Sequence, residues 1–172
     1  MIYNSWEVSK NYKWDKRYVD LAKHISSWSK DPSRKIGAVA VGSKGQVLAQ
    51  GYNGFPRGIS DDVSMYENKV IKYQHVVHAE MNCIYNATYN GTSLDGATMY
   101  IYGLPVCSEC AKGIIQVGIK RVVTSEIDDT MPERWVESTQ LTKKMFDEAR
   151  IVYDFIGSVS YTHLTLPTNR EV

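Results

Sequence analysis

At 172 residues the chain suits one domain with room for a continuous apolar core. Its 43% hydrophobic and 23% charged content is that of an ordinary globule, and a formal charge of +1 offers no extended basic footprint for nucleic acid or an anionic membrane. Three cysteines are too few for a disulfide framework and no apolar run has signal-peptide or membrane-spanning length, so a reducing, cytoplasmic setting is expected.

In chain order, residues 1–12 are polar and read as a loosely held arm, with one domain expected over 13–156. Trp14, Tyr18, Leu21, Ala22, Ile25 and Trp28 fall on one stripe, which predicts an amphipathic helix over 13–29. Pro32 disfavours helix at Asp31 and closes it. Two strands follow, over 36–41 and 46–52, joined by the turn Gly42-Ser43-Lys44-Gly45. The run from Gly51 to Gly58 is a glycine-rich loop. The stretch 59–73 is polar and mixed, and no element is assigned to it.

A helix is expected from about His78 to Tyr89, closed by Asn90-Gly91, and then a strand over 97–102. Next comes a helix from Cys107 to about Val117, with Gly118 as its cap. A strand over 120–124 leads to a helix that begins at Pro132 or Glu133 and carries Trp135, Leu141, Met145 and Ala149. A strand over 151–155 is the last element, and the alternation predicts an α/β layered domain with its site at strand carboxyl ends. Residues 159–168, VSYTHLTLPT, resemble the translation of a sequencing-library adapter, so 157–172 is expected to be a non-native tail.

The chemistry concentrates between Lys72 and Gly118. His78-Ala79-Glu80 and Cys107-Ser108-Glu109-Cys110 supply one imidazole, two thiols and one spare carboxylate. Met81, Ile84 and Tyr85 recur at helical spacing, which places His78 and Glu80 near the first turn of one helix. Cys107 and Cys110 share a face at the start of another, where the helix dipole favours a thiolate. Zinc on three protein ligands keeps a position for water and lowers its pKa toward neutrality, with Glu80 beside it as proton shuttle. A closed zinc knuckle, a redox pair or simply buried cysteines would use the same thiols, but a structural site has no need of Glu80.

His-x-Glu followed by a lip with one proline, Gly103-Leu104-Pro105, and Cys-x-x-Cys resembles the signature of the zinc-dependent cytidine and deoxycytidylate deaminases. The likeness runs in order over about 13–125. It takes in Ser29-Lys30-Asp31-Pro32, Ile36-Gly37-Ala38, Gly51-Tyr52-Asn53-Gly54-Phe55-Pro56, Gly58-Ile59-Ser60-Asp61-Asp62 and the block 111–120, and is similar to the branch acting on deoxycytidylate. The resemblance implies a three-layer α/β/α fold around a five-stranded mixed sheet. It also implies one Zn2+ per chain on His78, Cys107 and Cys110, with Glu80 as general acid and base. The implied reaction is hydrolysis of dCMP to dUMP and ammonia, feeding thymidylate synthesis. One departure is Val106, which separates Pro105 from Cys107 where the family has Pro directly before Cys.

By the same resemblance the Ala79 amide binds the pyrimidine carbonyl and Asn53 the 3′-hydroxyl, although a turn-forming Asn between glycines is the plainer account of Asn53. Arg34, with Ser33 and Lys35 beside it, is the nearest basic cluster for a phosphate, a surface charge being the competing reading. Tyr102 either walls the base or packs as a core strand residue. His75 reads as a surface or capping residue and Cys83 as a small buried one; with Ile59 where some relatives have Cys, no second zinc is expected. Family habit further implies a homo-oligomer, in some members a hexamer, with dCTP and dTTP as effectors acting near Gly51-Tyr52-Asn53-Gly54. The rival readings are a tRNA adenosine deaminase, a free cytidine or cytosine deaminase, and an inactive zinc-binding assembly module.

Overall fold

The computed structural model describes residues 5–125 and 131–156; the adapter-like tail lies outside the described residues. The first helix, α1, spans Ser5–Ser26, so most of the expected arm is helical. No Gly or Pro interrupts 5–26, and nothing else in that stretch stops a helix from propagating. Of the expected stripe, Ala22 and Ile25 are buried with Tyr18 and Leu21 packed beside them, but the buried face is rotated away from the stripe's two ends. Tyr12, Asp15, Val19, Ala22 and Ser26 are buried, alternating three and four residues apart, whereas Trp14 and Trp28 are half exposed at 51% and 50%. The displaced stripe contains a charge, Asp15, which apolar periodicity passes over. Arg121 explains its burial: two guanidinium nitrogens donate to the two Asp15 oxygens at 2.8 and 2.7 Å, and Tyr100 Oη donates to Oδ1 at 2.9 Å.

Five strands follow: β1 Gly37–Val41, β2 Val47–Tyr52, β3 Thr98–Tyr102, β4 Arg121–Ser125 and β5 Val152–Ile156. They form one sheet in the order β2-β1-β3-β4-β5, antiparallel from β2 to β3 and parallel from β3 to β5. Strand alternation sorts the side chains into two cores. Val39, Val41, Tyr100 and Val123 meet α1 on one face, while Ala38, Ala40, Met99, Ile101 and Val122 join a larger core on the other. That second core is completed by α4 (Ala79–Tyr89), α5 (Ser108–Gln116) and α6 (Glu133–Glu148), giving three layers.

Two glycines set how closely the layers approach. A Cβ on Gly37 would collide with the Ala22 carbonyl of α1, and one on Gly51 would collide with the Cys83 amide and Ala79 carbonyl of α4. Gly51 thus lets the helix following His78 lie directly on β2.

The unassigned stretch 59–73 contains two short helices, α2 (Val63–Glu67) and α3 (Lys69–His75). Asn68 caps α3, its side-chain oxygen accepting from Val70 and Ile71 N–H at 3.1 and 3.3 Å. Only Tyr66 of these two helices is buried, so no apolar stripe announces them. In α6 the inward residues are Thr139, Thr142 and Phe146, whereas Leu141 is exposed. Among the described residues no helix is long and apolar enough to cross a membrane.

Candidate active site

Both clusters of reactive side chains are placed by helix starts. After α3 the chain pairs back on the glycine loop, Gly54 N–H donating to Val77 C=O at 3.1 Å and Val77 N–H to Gly54 C=O at 2.8 Å. This bridge fixes the residue immediately before His78, which is the N-cap of α4. Asn82 Nδ2 tightens the joint by donating to Tyr52 C=O at 2.7 Å. Cys107 is the N-cap of α5, its sulfur accepting from the Cys110 N–H at 3.4 Å. Glu80 follows in the first turn of α4 and is 4% exposed.

His78 Nδ1 lies 3.4 Å from Cys107 Sγ and 3.3 Å from Cys110 Sγ, and the three donor atoms all fall within 4.8 Å of one another. No disulfide joins the cysteines. Around a tetrahedral zinc with ordinary Zn–S and Zn–N bonds, nitrogen and sulfur would stand about 3.6 Å apart, so this donor set fits the ion. The electrostatics agree. Hydrogen bonding from Cys110, then from His78, pulls the Cys107 thiol down to about 4, and the same contact with Cys107 pushes the Cys110 thiol up. Two sulfurs this close share one proton unless a cation lies between them. The bond with Cys107 raises the His78 imidazole, and burial pushes the Glu80 carboxyl up.

A cavity of about 490 Å³ opens over this cluster. His78, Ala79, Glu80 and Cys107 line it at one end, and Ser33, Arg34 and Asn53 line it from the loop before β1 and the loop after β2. Ser33, Arg34, Asn53 and Ala79 therefore border one space. Asn53, at 6% exposed, is also a structural pin: its Oδ1 accepts from Ile36 N–H at 2.8 Å and its Nδ2 donates to Arg34 C=O at 2.9 Å. One lone pair of Oδ1 is left for a ligand.

Sequence reasoning missed half of this wall. Lys69, Lys72 and Tyr73 of α3, Tyr66 of α2, and Arg134 and Trp135 of α6 also line the cavity. Arg134 donates to Tyr73 Oη at 2.7 Å, and the Trp135 and His78 ring centres are 6.3 Å apart. Lys69 and Lys72, three apart in a polar stretch, were the available signal; without an assigned helix they had no shared face. Asp31, 1% exposed, organises this end of the cavity. It pairs with Lys72 Nζ at 2.7 Å and accepts from Ser33 N–H at 2.8 Å and Arg34 N–H at 3.4 Å.

Tyr102 does not line the cavity: it packs on the α1 side, with Lys23 Nζ 5.6 Å from its ring centre. Its strand position points it to the face opposite Met99 and Ile101. His75 bonds the Ile71 carbonyl through Nδ1 at 2.8 Å and stacks on Phe55. Cys83 is fully buried in the α4 face of the core.

Comparison with known proteins agrees with the geometry. Residues 12–126 match the family model for the cytidine and deoxycytidylate deaminase zinc-binding region. Human deoxycytidylate deaminase is 37% identical over 150 residues, spanning 84% of this chain and 76% of the human protein. An uncharacterised deaminase of Aliivibrio fischeri is 37% identical over 139 residues, spanning 81% of this chain and 90% of that one. In fold, the dCMP deaminase of cyanophage S-TIM5 in complex with dCMP and dUMP superposes with a TM-score of 0.64 at 22% identity, covering 84% of this chain and 97% of the phage protein. With the ligand triad, the buried carboxylate and the family match in agreement, this chain is a member of the cytidine and deoxycytidylate deaminase family of zinc-dependent hydrolases.

Proposed function

We propose that the chain hydrolyses dCMP to dUMP and ammonia, and thereby supplies dUMP for thymidylate synthesis. The observation that carries this is one cavity with a buried carboxylate beside a zinc-type donor set at one end and Arg34, Lys69, Lys72 and Arg134 on its walls. Such a cavity suits a small, uncharged base joined to an anionic group.

His78, Cys107 and Cys110 would hold the zinc, which when bound would acidify a water molecule for attack on the ring carbon. Glu80 does the proton work. Its carboxylate takes the proton of the attacking water and passes it to the ring nitrogen, and a second transfer protonates the departing amine. Burial, which raises its pKa, suits a carboxylate that must both accept and give a proton. The Ala79 N–H, in the first turn of α4 where no intrahelical acceptor is available, faces the base carbonyl. The remaining lone pair on Asn53 Oδ1 accepts from the 3′-hydroxyl. Trp135 and Tyr66 border the flat base, and the four cations with the Ser33 hydroxyl take the phosphate.

The test is to incubate zinc-loaded protein with dCMP, deoxycytidine, dCTP and an adenosine-containing tRNA loop, following loss of cytosine absorbance and formation of inosine. The reading predicts fastest turnover of dCMP. Preference for deoxycytidine rejects the phosphate assignment, and inosine formation favours the tRNA enzyme instead. A zinc-loaded protein inert toward all four is the binding module. Oligomer formation and response to dCTP or dTTP belong to the same proposal and are read by sedimentation and by dCMP saturation curves with each triphosphate.

A further inference from the structure

Val106 is the residue that this chain places between Pro105 and Cys107, and it is wholly buried. A buried peptide unit must find partners for both its N–H and its C=O. Here both come from side chains of a distant unit, the α6 helix and the β5 strand that follows it. The Val106 N–H donates to Tyr153 Oη at 3.0 Å, and Thr142 Oγ1 donates to the Val106 carbonyl at 2.9 Å. On the far side of the ligand, the Ser108 N–H donates to Ser138 Oγ at 2.8 Å. The peptide units on both sides of Cys107 are thus bonded to one external element.

The anchors are themselves fixed. Thr142 is fully buried, and the Tyr153 ring stands edge-on to Phe146 with centres 5.2 Å apart and tilts against Phe155 at 4.8 Å. We propose that Tyr153, Thr142 and Ser138 are positioning residues of the metal centre: they hold the 106–108 backbone so that the Cys107 sulfur meets His78 and Cys110. The inference rests on the zinc reading above. Groups that orient metal ligands from outside the coordination shell commonly change metal affinity by about 10- to 100-fold when removed.

The experiment compares Tyr153→Phe, Thr142→Val and Ser138→Ala with the parent in two measurements, zinc affinity by competition with a chromophoric chelator and the visible spectrum of the cobalt-substituted protein. Thr139→Val is the control, because its buried hydroxyl sits on the same helix yet has no hydrogen-bond partner. Tyr153→Phe and Thr142→Val are each expected to weaken zinc binding about tenfold and to shift the cobalt bands, with Thr139→Val unchanged. Thr142→Ser, which keeps the hydroxyl, should recover the affinity that valine loses, and this pair decides the matter if Tyr153→Phe does not fold. Parental affinity and parental cobalt bands in the Tyr153 and Thr142 variants overturn the inference, even if their melting temperatures fall. A parent that binds no metal overturns the zinc reading itself; variants that match a zinc-binding parent overturn this inference alone.

Discussion

Replacing Asp31 by asparagine should destabilise the protein sharply, although the change is isosteric. Asp31 is 1% exposed and its ion-pair partner Lys72 is 11% exposed at the side chain, with 2.7 Å between Oδ2 and Nζ. The amide can still accept from Ser33 N–H through its oxygen. It cannot neutralise Lys72, which is left as an unpaired charge against the cavity wall. Removing one partner of a buried pair costs about 3–5 kcal/mol, and access of cavity water to Lys72 places this case near the lower end, about 3 kcal/mol. With a urea m-value of about 2 kcal/mol per M for a chain of this size, the midpoint should fall by about 1.5 M at unchanged m.

Lys72→Met in the Asp31→Asn background removes the orphaned charge. The double variant should therefore recover about 1.5 kcal/mol or more relative to Asp31→Asn alone. A midpoint within about 0.3 M of the parent for Asp31→Asn, or a double variant no more stable than the single one, would refute the claim that this pair holds α3 against the loop before β1.

Glu80→Gln should keep zinc and lose about 10²- to 10⁴-fold in kcat, and apo-protein melting should show no loss of stability because a buried carboxyl is exchanged for a neutral amide. Comparable turnover in that variant would sink the acid–base role. Arg34→Gln and Arg134→Gln should each raise KM for dCMP about tenfold or more while leaving KM for deoxycytidine near the parent value; equal effects on both substrates would move the phosphate elsewhere. Burial pushes the Cys83 thiol up to about 12, so it stays protonated where the unfolded chain ionises. Cys83 stabilisation is therefore complete below about pH 8.5 and is lost as pH rises toward 12, with a slope of at most about 1.4 kcal/mol per pH unit. Cys83→Ala should flatten the fall in urea stability between pH 9 and 11 relative to the parent; an unchanged slope would mean that the thiol ionises in the folded protein.

The parts of this molecule that could be read from sequence are those whose evidence is local. Each strand falls within about two residues of its expected bounds because the apolar, β-branched run that marks it is local. His78 with Glu80, and Cys107 with Cys110, sit within three residues of each other at a helix start, so their proximity follows from local sequence. The burial of α1 could be read only in part: Ala22 and Ile25 are buried as expected, but the rest of the face was not legible. Trp14 and Trp28 are large and apolar, yet the helix turns Asp15 inward instead, because Arg121, more than a hundred residues later, is waiting for it. A stripe drawn from hydrophobicity has no means of scoring a charge that is paired from β4. The helices α2 and α3 gave no apolar stripe for a different reason: they bury only Tyr66, and their residues matter for the cavity they border.

That difference bears on which assignments deserve testing first. The metal end of the cavity is built from two helix starts, and a change in the sequence between them leaves the ligand spacing intact; Val106 is such a change, accommodated by Tyr153 and Thr142. The end that Arg34, Lys69, Lys72 and Arg134 line is assembled from three separate segments, the loop before β1, α2–α3 and the start of α6, and Asp31 ties the first two together. On the proposed reading, chemistry at the carbon depends on short-range geometry, whereas discrimination between a nucleotide and a nucleoside depends on long-range assembly. Substrate preference can therefore be probed without touching the metal end, so the decisive comparison for this chain is dCMP against deoxycytidine in the Arg34 and Arg134 variants, rather than any substitution of His78, Cys107 or Cys110.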